Sequence, residues 1–303
     1  MEVIKTSALS KVYGAKRAVD HLDMTVRQGD IYGFIGRNGS GKSTTMKMLC
    51  GLAQPTEGEV RLFGQPVTDE AARRRVGVLV ENAGLYPDCS AYENLMLKAV
   101  CLGVVDADKK VRELLSTVGL AQTGKQHTKK FSMGMKQRLG VALALLGSPD
   151  LLLLDEPING LDPEGIREVR ELLVRLNREK GITLVVSSHI LGELSKIATR
   201  YGILKDGSLV EEIAAEELHA RCKDYLRVRV ADAKAACVLL EQALGAVQYE
   251  VRPEGELRIY GETDAAKVSA VLAANGVPVL ELYLHRQDLE AYFLELMGGA
   301  DRA

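Results

Sequence analysis

The chain has 303 residues, room for one large domain or two ordinary ones. Lys+Arg of 39 against Asp+Glu of 41 gives a formal net charge of −2, which argues against a protein that holds nucleic acid on a broad basic face. Hydrophobic residues at 47% and charged residues at 26% exclude extensive disorder, and no uncharged run reaches the ~18 residues needed to span a bilayer.

The N-terminal stretch MEVIKTSALSKVYG has no apolar signal core, so export is not expected. Val3-Ile4 and Met24–Val26 read as strands separated by a turn. Ile31–Gly36 is an apolar strand entering a Gly-rich loop, and Thr44–Gly51 reads as a helix ending at its glycine. Val76–Glu81 is a short Val-rich run, and Tyr92–Val100 and Asp108–Val118 have helical periodicity. Asp150–Asp155 and Thr183–Ser188 are strands of the buried type. Continuous apolar strands alternating with helices predict an α/β domain with a mainly parallel, buried sheet. Five cysteines without C-x-x-C spacing suit reduced thiols in the cytosol better than a disulfide framework or a zinc site.

Composition changes near Ala214–Lys223, a charged helical stretch. Tyr225–Val230 then alternates as a half-buried strand does, and Ala233–Leu244 is helical. Val247–Arg252 and Leu257–Tyr260 flank the turn Pro253-Glu254-Gly255, followed by a helix at Asp264–Ala274 and a strand at Val277–Leu284. This is strand–helix–strand twice over, with Asp232 and Asp264 in equivalent places, and it predicts a small α+β, ferredoxin-like domain over 215–303 behind an α/β domain over 1–214. A last helix, Asp288–Met297, carries Leu289, Tyr292, Phe293 and Leu296 on one face, which is expected to pack on the same domain.

The run Gly36-Arg37-Asn38-Gly39-Ser40-Gly41-Lys42-Ser43 fits G-x-x-x-x-G-K-[ST]. Its glycines let successive backbone N–H groups point inward and cradle phosphate oxygens. Lys42 adds a point charge near the β- and γ-phosphates, and the Ser43 hydroxyl can ligate Mg²⁺. Leu151–Leu154 followed by Asp155-Glu156 supplies what that loop lacks: Asp155, ending a buried strand, can hold the Mg²⁺ shell, and Glu156 can polarise the attacking water.

With these elements in order, the sequence resembles the ATP-binding subunit of an ABC transporter, a P-loop NTPase with a helical subdomain, over roughly residues 3–212. Tyr13 sits where the family stacks an aromatic on adenine, and the phosphate loop runs on into Thr44. Phe131-Ser132-Met133-Gly134-Met135 is similar to the signature element that begins a helix, Asn159-Gly160-Leu161-Asp162 to the loop after the acidic strand, and His189 to the switch histidine. The resemblance implies ATP hydrolysis with Mg²⁺ and a homodimer with two ATPs in its interface. Each ATP lies between one copy's phosphate loop and the other's Ser132 and Gly134. Ser132, at a helix start, brings a hydroxyl, N–H groups and a positive dipole end.

There are departures. Met133 and Met135 replace a glycine and a glutamine of the common signature, Ile158 stands where threonine is common, and Glu81 falls where the family has a glutamine. Glu81 is expected to ligate Mg²⁺, directly or through water, beside Ser43 and Asp155, because a carboxylate near the γ-phosphate needs a cation between them; the alternative is that it points to solvent or pairs with a basic group on the membrane subunit. These variants resemble the bacitracin- and lantibiotic-protection branch, implying a subunit that powers export of a peptide antibiotic or other amphipathic compound. Its permease must be a separate integral-membrane chain, which places the ATPase in the cytoplasm on the inner face of the membrane, without direct insertion. The competing reading is a soluble ABC ATPase acting on DNA or the ribosome. Against it, only about 50 residues separate Glu81 from Ser132, too few for a coiled-coil insertion, and there is one phosphate loop rather than two.

Overall fold

A computed structural model of the protein describes all residues except 81–82, 223, 246–247, 262–263, 286–291, 294–295 and 297–303; the side chain of residue 254 also lies outside the description. The chain divides into two compact units, Met1–Ala215 and Glu216–Ala303.

The first unit holds two sheets. The strands are β1 (Glu2–Tyr13), β2 (Lys16–Leu22), β3 (Thr25–Arg27), β4 (Ile31–Gly36), β5 (Glu57–Leu62), β6 (Gln65–Pro66), β7 (Val76–Leu79), β8 (Leu151–Asp155), β9 (Thr183–Ser188), β10 (Arg200–Lys205) and β11 (Ser208–Ala214). The helices are α1 (Lys42–Leu49), α2 (Glu70–Arg74), α3 (Ala91–Cys101), α4 (Ala107–Thr117), α5 (Met133–Leu145), α6 (Pro163–Lys180) and α7 (Leu191–Leu194).

The central sheet runs β11-β10-β4-β9-β8-β7. Every pair from β10 to β7 is parallel; only β11 is antiparallel. β4, β8 and β9 are buried along their whole length. That explains their unbroken apolar sequences: both faces are covered, so no polar alternation is needed. Each of Leu151–Leu154 is fully buried, worth about 1.5–3 kcal/mol apiece as an upper bound on the transfer term.

A second sheet, antiparallel, runs β2-β1-β5-β6, with β3 also pairing β1. It departs from the expectation of one mainly parallel sheet. β1 is twelve residues long and mixes polar with apolar positions, because one side of it faces solvent. Its register shifts between Leu9 and Lys11 in the pairing with β2, which breaks the alternation that would mark a strand.

Between β7 and β8 the chain builds a helical layer, in which α3, α4 and α5 pack on one another. Helix α6 was not among the elements expected from the sequence. Its ends carry clear signals: Asp162 caps the start, Pro163 takes the first turn, and Gly181 closes it at φ 67°. Val169, Leu172, Leu173 and Leu176, at helical spacing, form its buried face.

The second unit opens with α8 (Ala215–Arg221), which begins one residue before it, and continues β12 (Tyr225–Val230), α9 (Ala233–Leu244), β13 (Gln248–Arg252), β14 (Glu256–Tyr260), α10 (Ala265–Ala274) and β15 (Val279–His285). Its sheet is antiparallel in the order β13-β14-β12-β15. Asp232 and Asp264 play the same part in the two halves: each caps its helix by accepting from two first-turn N–H groups at 3.0–3.2 Å. Leu226, Val228 and Val230 pack with Leu240, Leu257 and Leu272 in a core of their own. Of the C-terminal apolar stripe, Phe293 is buried and Tyr292 accepts from Arg221 Nη1 at 3.1 Å. Leu289 lies outside the described residues.

Candidate functional site

The parallel register sets three strand ends side by side. Ile35 of β4 is opposite Ser188 of β9, and Ser187 of β9 is opposite Asp155 of β8. Whatever follows these strands at their carboxyl ends is gathered in one place, where open α/β sheets hold ligands.

After β4 comes the loop to α1. Gly39 and Gly41 have φ of 82° and 105°, which a residue with a side chain adopts only under strain. A Cβ on Gly41 would come 2.5 Å from the Ala18 carbonyl oxygen, and one on Gly36 would come 2.3 Å from Ser40 Oγ. Helix α1 starts at Lys42, two residues before the Thr44 expected from the sequence, so Lys42, Ser43 and Thr44 form its first turn. Gly41 brings no side chain to cap that turn, and no acidic residue lies in it. The N–H groups are left for an anion. The Ser40 hydroxyl is buried and, among the described residues, has no hydrogen-bond partner, so it is a donor suited to a polar oxygen. Lys42, also buried, donates from Nζ to the Gly36 carbonyl at 2.7 Å and the Arg37 carbonyl at 3.3 Å. Asn38, Gly39 and Ser43 are exposed. These features fit a polyphosphate.

After β8 comes Glu156, at φ 50°. Its Oε1 lies 3.3 Å from Lys42 Nζ, and its Oε2 is 2.8 Å from Nδ1 of His189, which follows β9. Asp155 is buried, and Ser187 donates its hydroxyl to Asp155 Oδ1. The sequence-derived residues Lys42, Asp155, Glu156 and His189 thus meet. Among the described residues no group of three or more His, Cys, Asp and Glu could hold a metal ion. The donors on hand, a serine hydroxyl and one carboxylate, suit Mg²⁺, which keeps waters and phosphate oxygens in its shell.

The other sequence-derived residues lie elsewhere. Ser132 caps α5, its Oγ accepting from Met135 N at 3.2 Å. Asp162 caps α6 by accepting from Gly165 N at 3.2 Å. Gly134 is buried with its open side toward Gly165 of α6, so the two caps sit on packed helices. Among the described residues, no hydrogen bond or ion pair joins Ser132 or Asp162 to Lys42, Glu156 or His189. Tyr13 ends β1 half-exposed, with Lys11 Nζ 5.1 Å from its ring centre. Glu81 lies outside the described residues. Sequence reasoning overlooked Ser187. The available signal was a polar pair, Ser187-Ser188, ending an otherwise apolar buried strand, where a hydroxyl needs a partner.

Comparison with known proteins places this geometry. A family profile described as ABC transporter matches residues 19–159. The bacitracin transport ATP-binding protein BcrA of Bacillus licheniformis is 44% identical over 300 residues, 98% of each chain. The lantibiotic transport ATP-binding protein SrtF of Streptococcus pyogenes is 40% identical over 210 residues, 69% of this chain and 90% of SrtF. A solved dimeric post-hydrolysis state of the ATP-binding cassette MJ0796, bound to ADP and Pi, superposes with a TM-score of 0.64 at 28% identity, covering 70% of this chain and 98% of that one. These likenesses do not favour the reading as a DNA- or ribosome-directed ATPase. Among the described residues, no helix is long and apolar enough to cross a membrane. The chain belongs to the ABC transporter family, as an ATP-binding subunit with the P-loop NTPase fold of the ABC ATPases.

Proposed function

We propose that this chain hydrolyses ATP as a homodimer to power a separate integral-membrane permease that exports a peptide antibiotic or another amphipathic compound. The observation that carries the reading is the match to a bacitracin transport ATP-binding protein along 98% of both chains, second unit included. The proposed location is the cytoplasmic face of the membrane, through the permease.

In this reading Lys42 holds the β- and γ-phosphates, with Gly36, Asn38, Gly39, Ser40, Gly41 and Thr44 forming the cradle. Tyr13 stacks on the adenine. Ser132, Gly134 and Asp162 act on the ATP held by the other copy. Ser43 and Asp155, with Glu81, would hold Mg²⁺, which when bound neutralises phosphate charge. Glu156 takes the proton of the attacking water, and His189 steadies Glu156 through the 2.8 Å contact. The division into an ATPase domain over 1–214 and an accessory domain over 215–303 is supported by the two compact units. The ferredoxin-like class of the second is supported by its βαββαβ order and its antiparallel strand order.

Affinity purification of the tagged chain from detergent-solubilised membranes of its host tests the reading. Recovery of a multi-spanning membrane protein in stoichiometric amount is expected. Recovery of ribosomes or DNA-repair proteins instead would overturn it.

A further inference from the structure

The Ser187 hydroxyl stands between the two acidic residues that end β8. It donates to Asp155 Oδ1 and accepts from the Glu156 backbone N–H at 2.9 Å. Ser187 is fully buried and faces Asp155 in the last rung of the β8–β9 pairing. A hydroxyl has one proton and two lone pairs, so with its proton on Asp155 it is an acceptor toward Glu156.

That acceptor is needed because the chain leaves the sheet there. Glu156 is in the left-handed region at φ 50°, a conformation side chains with a Cβ rarely adopt. The turn carries the Glu156 N–H past the end of the β8–β9 pairing, which closes at Asp155 and Ser187. Ser187 Oγ accepts it instead. The neighbouring Ser188 hydroxyl is engaged by the Ile190 N–H at 2.9 Å. One oxygen atom therefore sets two things: the rotamer of the Asp155 carboxylate, and the turn that aims Glu156 at Lys42 and His189.

We infer that Ser187 is a positioning residue: its hydroxyl orients Asp155 toward the Mg²⁺ position and fixes the turn of Glu156 toward the attacking water. The inference rests on the roles proposed above for Asp155 and Glu156. Partners that orient a metal ligand typically change metal affinity or activity about 10–100-fold when removed.

The test uses the full-length protein with Ser187→Ala, which deletes both hydrogen bonds, and Ser187→Thr, which keeps a hydroxyl. Mn²⁺ binding at saturating ADP is read from the EPR signal of the free ion, beside kcat, KM for ATP and melting temperature. Ser187→Ala is expected to bind Mn²⁺ about 10-fold more weakly and to lose about 10-fold or more in kcat, with KM nearly unchanged. Ser187→Thr is expected to recover most of both. If Ser187→Ala does not fold, Ser187→Cys, which keeps volume with a poor donor, is read the same way. Wild-type Mn²⁺ affinity and kcat, with only a lower melting temperature, would overturn the inference. Asp155→Asn separates the two levels. If Asp155→Asn loses Mn²⁺ while the Ser187 variant does not, the positioning role falls and the metal reading stands. If Asp155→Asn keeps wild-type Mn²⁺ affinity, the metal reading falls and the inference falls with it.

Discussion

The Glu156 carboxylate bridges two elements at once: Oε1 is 3.3 Å from Lys42 Nζ and Oε2 is 2.8 Å from His189 Nδ1. The side chains of Lys42 and Glu156 are 6% and 19% exposed, so the pair is poorly hydrated and each charge depends on the other. Lys42 is thus held in place by two carbonyls and a carboxylate.

Lys42→Ala removes the lysine cation from that arrangement. Steady-state phosphate release should fall at least about 100-fold in kcat/KM, the scale for losing one preorganised charge at the reacting group. Activity within a factor of two of wild type would refute the assignment of the loop.

Glu156→Gln keeps the shape and loses the proposed base. Hydrolysis should slow by about 10²–10⁴-fold, while binding of a fluorescent ATP analogue is retained. A variant that turns over ATP at the normal rate would mean that another group activates the water.

Ser132→Ala separates a cap from a site. Losing the cap should cost about 1 kcal/mol of stability, a shift of only a few degrees in melting temperature. ATPase activity should drop far more than that instability explains if Ser132 acts on the other copy's ATP, as proposed. An activity loss no larger than the loss of folded protein would reduce Ser132 to an ordinary helix cap.

Glu193, on α7 shortly after His189, accepts from Lys196 at 2.5 Å and is also bonded by Arg170 of α6. The Lys196 hydrogen bond chiefly, then the nearby positive charges, hold its carboxyl below the usual 4.5. A depressed carboxyl contributes stability that is present above the unfolded value and is lost as pH falls through the folded one. Urea midpoints should therefore fall between pH 6 and pH 3, and Glu193→Gln should shrink that fall. An identical pH dependence in the two proteins would show that the pair adds nothing.

The parts of this protein that were readable in advance share a cause: local sequence decides them. The phosphate loop and the LLLLD strand each need particular residues at fixed spacing, whatever surrounds them. Helix α1 began two residues early because a phosphate loop enters its helix at the lysine. The antiparallel sheet around β1 escaped because bulges and solvent exposure break its alternation. The Lys42–Glu156 pair and the double role of Ser187 escaped for a different reason. They depend on β4, β9 and β8 lying side by side, an order that strands 31–36, 183–188 and 151–155 do not follow along the chain.

A site completed by two copies, with Glu156 as the base that ends the ATP-bound state, requires a dimer that persists when hydrolysis is blocked. Light scattering of purified Glu156→Gln with ATP, with ADP and without nucleotide tests it most directly. Twice the monomer mass with ATP, and monomer mass in the other two conditions, is expected if ATP bridges Lys42 of one copy and Ser132 of the other and is not consumed. Monomer mass at saturating ATP, with ATP binding intact, would contradict it.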